Sequence, residues 1–241
     1  MTTIGEHTMA QRSEVAAIYT AGIVQGLALV AFPAASTVFT SPQHYDLSSA
    51  AYGAIFVPQA ITAISSSLLG AGLTRALGAK RVYLLGLGAN VLAMALLVLS
   101  RFVMHEHTLA YGILLVATAC MGVGFGLTVP ALNTFAAVFF PHKVDTAVLT
   151  LNALLGLGTT LAPVFVALFV GLGFWWGLPL LVGALTVALL LFSLRLPLNE
   201  GAPTLGARAP NSKAKLPTRF STSWRRPIAS RSSRCRTAAR G

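Results

Sequence analysis

The chain has 241 residues, of which 55% are hydrophobic and 10% charged, and its formal net charge is +11. Soluble domains carry about 25% charged residues, so this composition argues against a water-soluble globule, and its hydrophobicity excludes a disordered chain. The charge is unevenly placed, because residues 1–200 carry a net +1 whereas residues 201–241 contain ten Lys and Arg and no acid. We therefore expect an apolar body with a basic tail and, as nothing outside that tail is strongly basic, no nucleic-acid partner.

Six apolar segments follow one another along the chain. A helix that crosses the hydrocarbon core of a bilayer needs about 20 mainly apolar residues. We number the six segments spans 1 to 6, and they are predicted near residues 16–38, 50–73, 82–100, 108–139, 146–170 and 175–194. The sequence therefore predicts an all-α membrane protein that contacts the lipid bilayer, with a cytoplasmic N-terminus over 1–15, a six-helix transmembrane domain over 16–195 and a basic, disordered cytoplasmic tail over 196–241.

The basic residues between the spans predict the orientation of the helices. Arg75, Lys80 and Arg81 lie between spans 2 and 3, and Lys143 lies between spans 4 and 5, whereas Arg101 is the basic residue on the opposite side. Basic residues collect in cytoplasmic loops. We therefore expect a multi-pass protein of the cell membrane with both termini in the cytoplasm.

The predicted spans contain no Asp, Glu, Lys, Arg or His in their central parts. Such groups mark proton relays and ion pathways in membranes, and the chain also lacks the constellations of side chains that catalysis requires. We therefore expect neither an enzyme, nor a cofactor, nor a metal site. The glycines of Gly122–Gly126 lie inside span 4 and follow no strand, so they predict close helix packing rather than a nucleotide-binding loop.

Of the amide side chains inside the spans, four are taken as candidates for polar contacts, because an unpaired amide is costly in lipid. Each either bonds a neighbouring helix or lines a polar cavity; they are Gln25, Gln59, Asn133 and Asn152. Four prolines inside the spans remove a backbone donor and are predicted to kink their helices; they are Pro33, Pro58, Pro130 and Pro163.

The loop between spans 2 and 3 resembles the signature loop of the major facilitator superfamily. In this family the loop runs glycine, spacer, Asp-Arg, glycine and a basic pair, and Gly78, Lys80 and Arg81 match its end. In the register that fits Gly78, Arg75 stands where the family has Asp, and in the other register Thr74 stands there. The glycine-rich span 4 is also similar, although Thr118 replaces an Arg linked to proton coupling, and span 5 carries a similar Gly/Pro segment from Gly156 to Pro163.

The resemblance implies that residues 15–195 form one six-helix half of a transporter. In the family, helices 1, 2, 4 and 5 line a cavity at the junction of two halves, which makes Gln25, Gln59, Asn133 and Asn152 candidate substrate-binding residues. Gly78, Lys80 and Arg81 would then form a conformational-switch loop. The expected function is transport of a small neutral or weakly polar solute by alternating access, for which the partner is a second six-helix half.

Two other functions stay open at this point. The chain could form a homodimeric carrier or channel, or it could be a nonfunctional truncated fragment. The basic tail is interpreted as a lipid-binding segment, a linker, or the out-of-frame end of an interrupted transporter gene.

Overall fold

The computed structural model describes the backbone of residues 4–196 and the side chains of residues 12–196. Residues 197–241, with almost all of the predicted tail, lie outside this range. The described chain forms eight α-helices and one short 3-10 helix, which are α1 (Ile4–Ala34), α2 (Ser36–Thr40), α3 (Ser49–Ala54), α4 (Phe56–Leu77), α5 (Ala79–Ser100), the 3-10 helix Arg101–Val103, α6 (His107–Phe139), α7 (Val144–Gly171) and α8 (Gly177–Arg195).

These helices form six segments that are long and apolar enough to cross a membrane, which confirms the six predicted spans. Span 1 consists of α1 and α2, span 2 of α3 and α4, and span 3 of α5 with the 3-10 turn, while α6, α7 and α8 are spans 4, 5 and 6. Most ends lie within four residues of the prediction. The exception is the start of α1 at Ile4, because a helix can continue in water beyond the apolar segment that the sequence pattern detects.

Only two of the four prolines accompany a break in the helix. Span 1 breaks at Ala35, two residues after Pro33, and span 2 breaks at Ile55, three residues before Pro58. The hydroxyl of Tyr52 donates to the backbone carbonyl of Phe32 beside the first break (3.4 Å). A neighbouring span thus supplies a donor where the helical hydrogen bonds are interrupted.

The helices that contain Pro130 and Pro163 continue through these residues. Pro130 cannot donate to the carbonyl of Gly126, four residues earlier, and the hydroxyl of Ser67 in span 2 donates to that carbonyl instead (3.2 Å). The partner on span 2 explains how this part of span 4 stays helical.

Spans 1 and 4 form the centre of the bundle. Span 4 packs on spans 2 and 3, span 1 packs on span 5, and span 6 packs on spans 3 and 1, whereas spans 2 and 5 do not pack closely on each other within the described range. In the most apolar stretches of spans 2 and 5 only 17% of the residues are buried, against 61% in span 1. We call the side between spans 2 and 5, with spans 1 and 4 behind it, the open face.

Glycines allow close contact along two pairs of spans. A Cβ on Gly122 or Gly126 of span 4 would overlap backbone oxygens of span 2. A Cβ on Gly26 of span 1 would overlap a backbone oxygen of span 5, and one on Gly158 of span 5 would overlap a backbone oxygen of span 1. Small residues permit this approach in membrane helices, which confirms the packing role predicted for Gly122–Gly126.

Candidate functional site

The open face is the candidate functional site because neutral polar side chains occur on all four spans that form it. Each of these side chains is exposed or half-buried, and the set comprises Thr20, Thr37, Gln59, Ser65, Ser67, Asn133, Thr134, Thr150, Asn152 and Thr160. Within residues 12–196, the Asp, Glu, Lys and Arg side chains lie near the ends of the spans or in the loops. The central parts of these four spans therefore carry groups that can form hydrogen bonds without fixed charge.

Gln25 lies away from the open face, inside the bundle. It is 2% exposed, and its Oε1 accepts a hydrogen bond of 2.7 Å from Nδ2 of Asn90 in span 3, which is 1% exposed. The Asn90 side chain lies against Gly124, where a Cβ would overlap it. In this arrangement Gln25 joins spans 1 and 3, and its proposed contact with substrate stays a prediction.

Gln59 and Asn133 are half-buried on spans 2 and 4. The side-chain oxygens of both residues are shielded from solvent and accept no hydrogen bond from any described residue. Burying an amide oxygen without a hydrogen-bond donor is costly, so in most proteins a buried amide oxygen accepts a hydrogen bond from protein or water. These two oxygens are therefore acceptors that could still take a hydrogen bond from a donor outside the described residues.

Asn152 is exposed on span 5, and its Nδ2 donates to the carbonyl of Val148 one turn earlier (2.9 Å). The amide nitrogen is therefore satisfied within its own helix. No hydrogen bond in the described part of the chain joins Asn152 to any of the other three amides, each of which lies on a different span.

The loop that resembles the family signature makes a contact within the same bundle. Gly78 adopts a φ of 89° between spans 2 and 3, a conformation that favours glycine. Lys80 is the second residue of the next helix, and its Nζ donates to the backbone carbonyls of Leu196 (2.7 Å) and Leu194 (3.4 Å) at the end of span 6. A cation here satisfies terminal carbonyls and opposes the negative end of the helix dipole.

Lys80 also attracts the carboxylate of Glu14 in span 1, which is 8% exposed. This side chain therefore connects spans 1, 3 and 6 at one end of the bundle. Arg81 beside it is exposed. The switch role of Gly78, Lys80 and Arg81 stays a prediction, because the contacts seen here are within one half.

Aromatic side chains pack together at the opposite end of the bundle. The hydroxyls of Tyr45 and Ser100 are 2.6 Å apart, and the Tyr45 ring packs edge-on against Trp175. Burial raises the pKa of Tyr45 to about 12, although the Ser100 hydrogen bond and the charge of Arg101 oppose the rise. Tyr45 thus stays protonated and anchors the loop between spans 1 and 2.

Sequence reasoning missed Asn90, and it named Lys80 as part of the signature loop without its contacts to span 6. Asn90 is the most buried amide of the bundle among the described residues, yet it was not a candidate because span 3 is not among the cavity-lining helices of the resemblance. The role of Lys80 depends on carbonyls that are 114 and 116 residues away in sequence. An isolated polar residue in an apolar span was the available signal for Asn90, whereas no signal indicated the contacts of Lys80 with the end of span 6.

Comparison with known proteins identifies the family. The family model of the Major Facilitator Superfamily matches residues 15–232, which include all six spans. Searches of curated proteins and of solved structures give no match. Because the match covers most of the sequence, and because six apolar helices fit one half of such a transporter, this chain belongs to the Major Facilitator Superfamily.

Proposed function

We propose that the chain provides one half of a carrier for a small neutral or weakly polar solute. Members of this superfamily are membrane transporters rather than enzymes, and the chain is a multi-pass membrane protein. The observation that carries the finer proposal is the pair of shielded, unpartnered oxygens of Gln59 and Asn133. A hydroxyl or N–H group of a solute would complete these acceptors.

The packing of the bundle supports alternating access as the mechanism. In such carriers each half moves largely as a unit around a site between the halves. Glycines bring the backbones of spans 2 and 4, and those of spans 1 and 5, into close contact, so each pair of helices can move as a unit. The open face, which has no partner in the bundle, is the side that would meet the second half.

The absence of charge in the central part of the described spans supports a neutral solute. An intramembrane acid or base would mark a proton-coupled step, and Thr118, at the position of the coupling Arg, is fully buried and donates to the carbonyl of Leu115 (3.0 Å). We therefore expect transport by this chain to follow the solute gradient and to change little when a proton gradient is applied.

The test is uptake by vesicles that contain the purified full-length protein, with a panel of radiolabelled hexoses, polyols and neutral amides. We expect saturable uptake of at least one class of solute. Asn133→Leu and Gln59→Leu should each reduce it about tenfold, since each removes an acceptor from the solute. Thr108→Val, at the far end of span 4, is the matched control and should leave uptake unchanged.

Three results would contradict this proposal. They are the absence of uptake for the whole panel, equal uptake by Asn133→Leu and the control, and a strict requirement for a proton gradient. The mass of the protein in detergent identifies the second half: two copies per particle would indicate a homodimer, and one copy would indicate that another polypeptide segment supplies it.

A further inference from the structure

Residues of spans 3 and 6 line an apolar surface groove on the side of the bundle away from the open face. Its volume is about 430 Å³, and eleven residues without a polar side chain line it. Several of these side chains are strongly exposed, including Leu99, Phe102 and Leu180. A protein in water would hide such a surface, but in a membrane it is open to lipid.

The groove has the length of one leaflet of the bilayer. Along span 3 it extends from Val91 to Phe102, which corresponds to about 16 Å at the rise of an α-helix. Half of a hydrocarbon core of about 30 Å is about 15 Å. A groove of this length would reach from the level of the headgroups to near the middle of the membrane.

A cation stands at the headgroup end. The guanidinium of Arg101 lies 4.7 Å from the centre of the Trp176 ring and 5.9 Å from that of Phe102, which itself lines the groove. Stacking on tryptophan fixes the plane of the guanidinium. Within residues 12–196, no hydrogen bond or ion pair engages its N–H groups, so they are available to an anion.

We propose that this groove binds one glycerophospholipid, with an acyl chain between spans 3 and 6 and the phosphate on Arg101. The apolar lining and its length fit an acyl chain, and the unpaired guanidinium provides charge complementarity for the phosphate. Trp176 and Phe102 lie where aromatic side chains favour the interface between lipid and water. The lipid would hold spans 3 and 6 together on the side opposite the open face.

The test measures binding of phosphatidylglycerol to the purified full-length chain by native mass spectrometry. We expect one tightly bound lipid per chain. Arg101→Gln should weaken this binding about fivefold, the effect of one basic residue on an anionic lipid, whereas Arg81→Gln, an exposed cation at the other end, should not change it. A diacylglycerol with the same acyl chains should bind weakly and should not respond to Arg101→Gln.

A second pair of variants tests the groove itself. Ala184 is exposed and lines the groove, and Ala188 is exposed one turn later on the same helix outside it. Ala184→Phe should abolish the bound lipid by filling the groove, and Ala188→Phe should retain it. Ala95→Phe fills the same groove from span 3 and guards against a folding defect of one variant. Equal binding by the groove variants and Ala188→Phe, or by Arg101→Gln and Arg81→Gln, would overturn the proposal.

Discussion

Replacing Gly122 by alanine should separate spans 2 and 4. The added Cβ would overlap the carbonyl oxygen of Gln59 and the hydroxyl of Thr62. Backbone atoms cannot move aside without shifting a whole helix, and the Thr62 hydroxyl also donates to the carbonyl of Ala119 (2.8 Å). The substitution therefore both overpacks the contact and breaks a hydrogen bond between the two spans.

The size of the effect follows from these two losses. Overpacking a well-filled interior costs about 1–3 kcal/mol, and a hydrogen bond between membrane helices contributes about 0.6–2 kcal/mol. Alanine is favoured over glycine inside a helix by about 1 kcal/mol. Gly112 lies in the same span with open space where its Cβ would be, so Gly112→Ala gains the same propensity without a clash.

Unfolding in mixed micelles of sodium dodecyl sulfate, followed by circular dichroism, measures the difference. Because the propensity gain is common to both variants, Gly122→Ala should be about 2–4 kcal/mol less stable than Gly112→Ala. Should the two variants unfold at the same detergent fraction, the backbone contact between spans 2 and 4 would not be the one described.

Three further predictions concern polar contacts. Ser67→Ala should lower the free energy of unfolding by about 1 kcal/mol. The loss should be smaller in a Pro130→Ala background, because residue 130 then has an N–H that can bond the carbonyl of Gly126. Equal losses in both backgrounds would refute the role of Ser67. Gln25→Leu and Asn90→Leu should each lower the free energy of unfolding by about 1–3 kcal/mol, because the other amide is left buried and unpaired. The double variant should therefore lose less stability than the two single variants together. Strict additivity would refute the hydrogen-bonded pair. The folded protein holds the phenolic proton of Tyr45 more tightly than the unfolded chain, since its pKa rises from 10.0 to about 12. This contribution to stability is fully present below pH 10 and is lost as the pH rises towards 12, so unfolding measured against pH should show a smaller alkaline loss in Tyr45→Phe than in the wild type.

The six spans could be predicted from the sequence because the apolar length needed to cross a bilayer is a local property. The breaks in the helices could not, since they depend on neighbours. Pro130 removes the same donor as Pro33, but Ser67 on another span supplies a replacement for the carbonyl that Pro130 leaves free. A proline in the sequence therefore predicts a missing hydrogen bond, while the packing decides whether the helix breaks.

The candidate site was predictable in its type of residue rather than in its exact members. Neutral amides in apolar spans indicated polar interactions inside the membrane, and the structure contains them. Which side an amide faces could not be read from the pattern, because span 1 is apolar on nearly all sides and Gln25 finds its partner on span 3. Gln59 and Asn133 keep an unpartnered oxygen because no donor among residues 12–196 reaches it.

The most direct test of the central claim is the accessibility of residue 133 to water. A single cysteine at Asn133 or at Ala184, in a background with Cys120→Ala and Cys235→Ala, is treated in vesicles with a membrane-impermeant maleimide. If the open face is the transport face, the cysteine at 133 reacts with the maleimide, and a transported solute changes the rate of this reaction. The cysteine at 184, in the lipid-facing groove, does not react. If the cysteine at 184 is labelled and the cysteine at 133 is not, the open face is not the transport face.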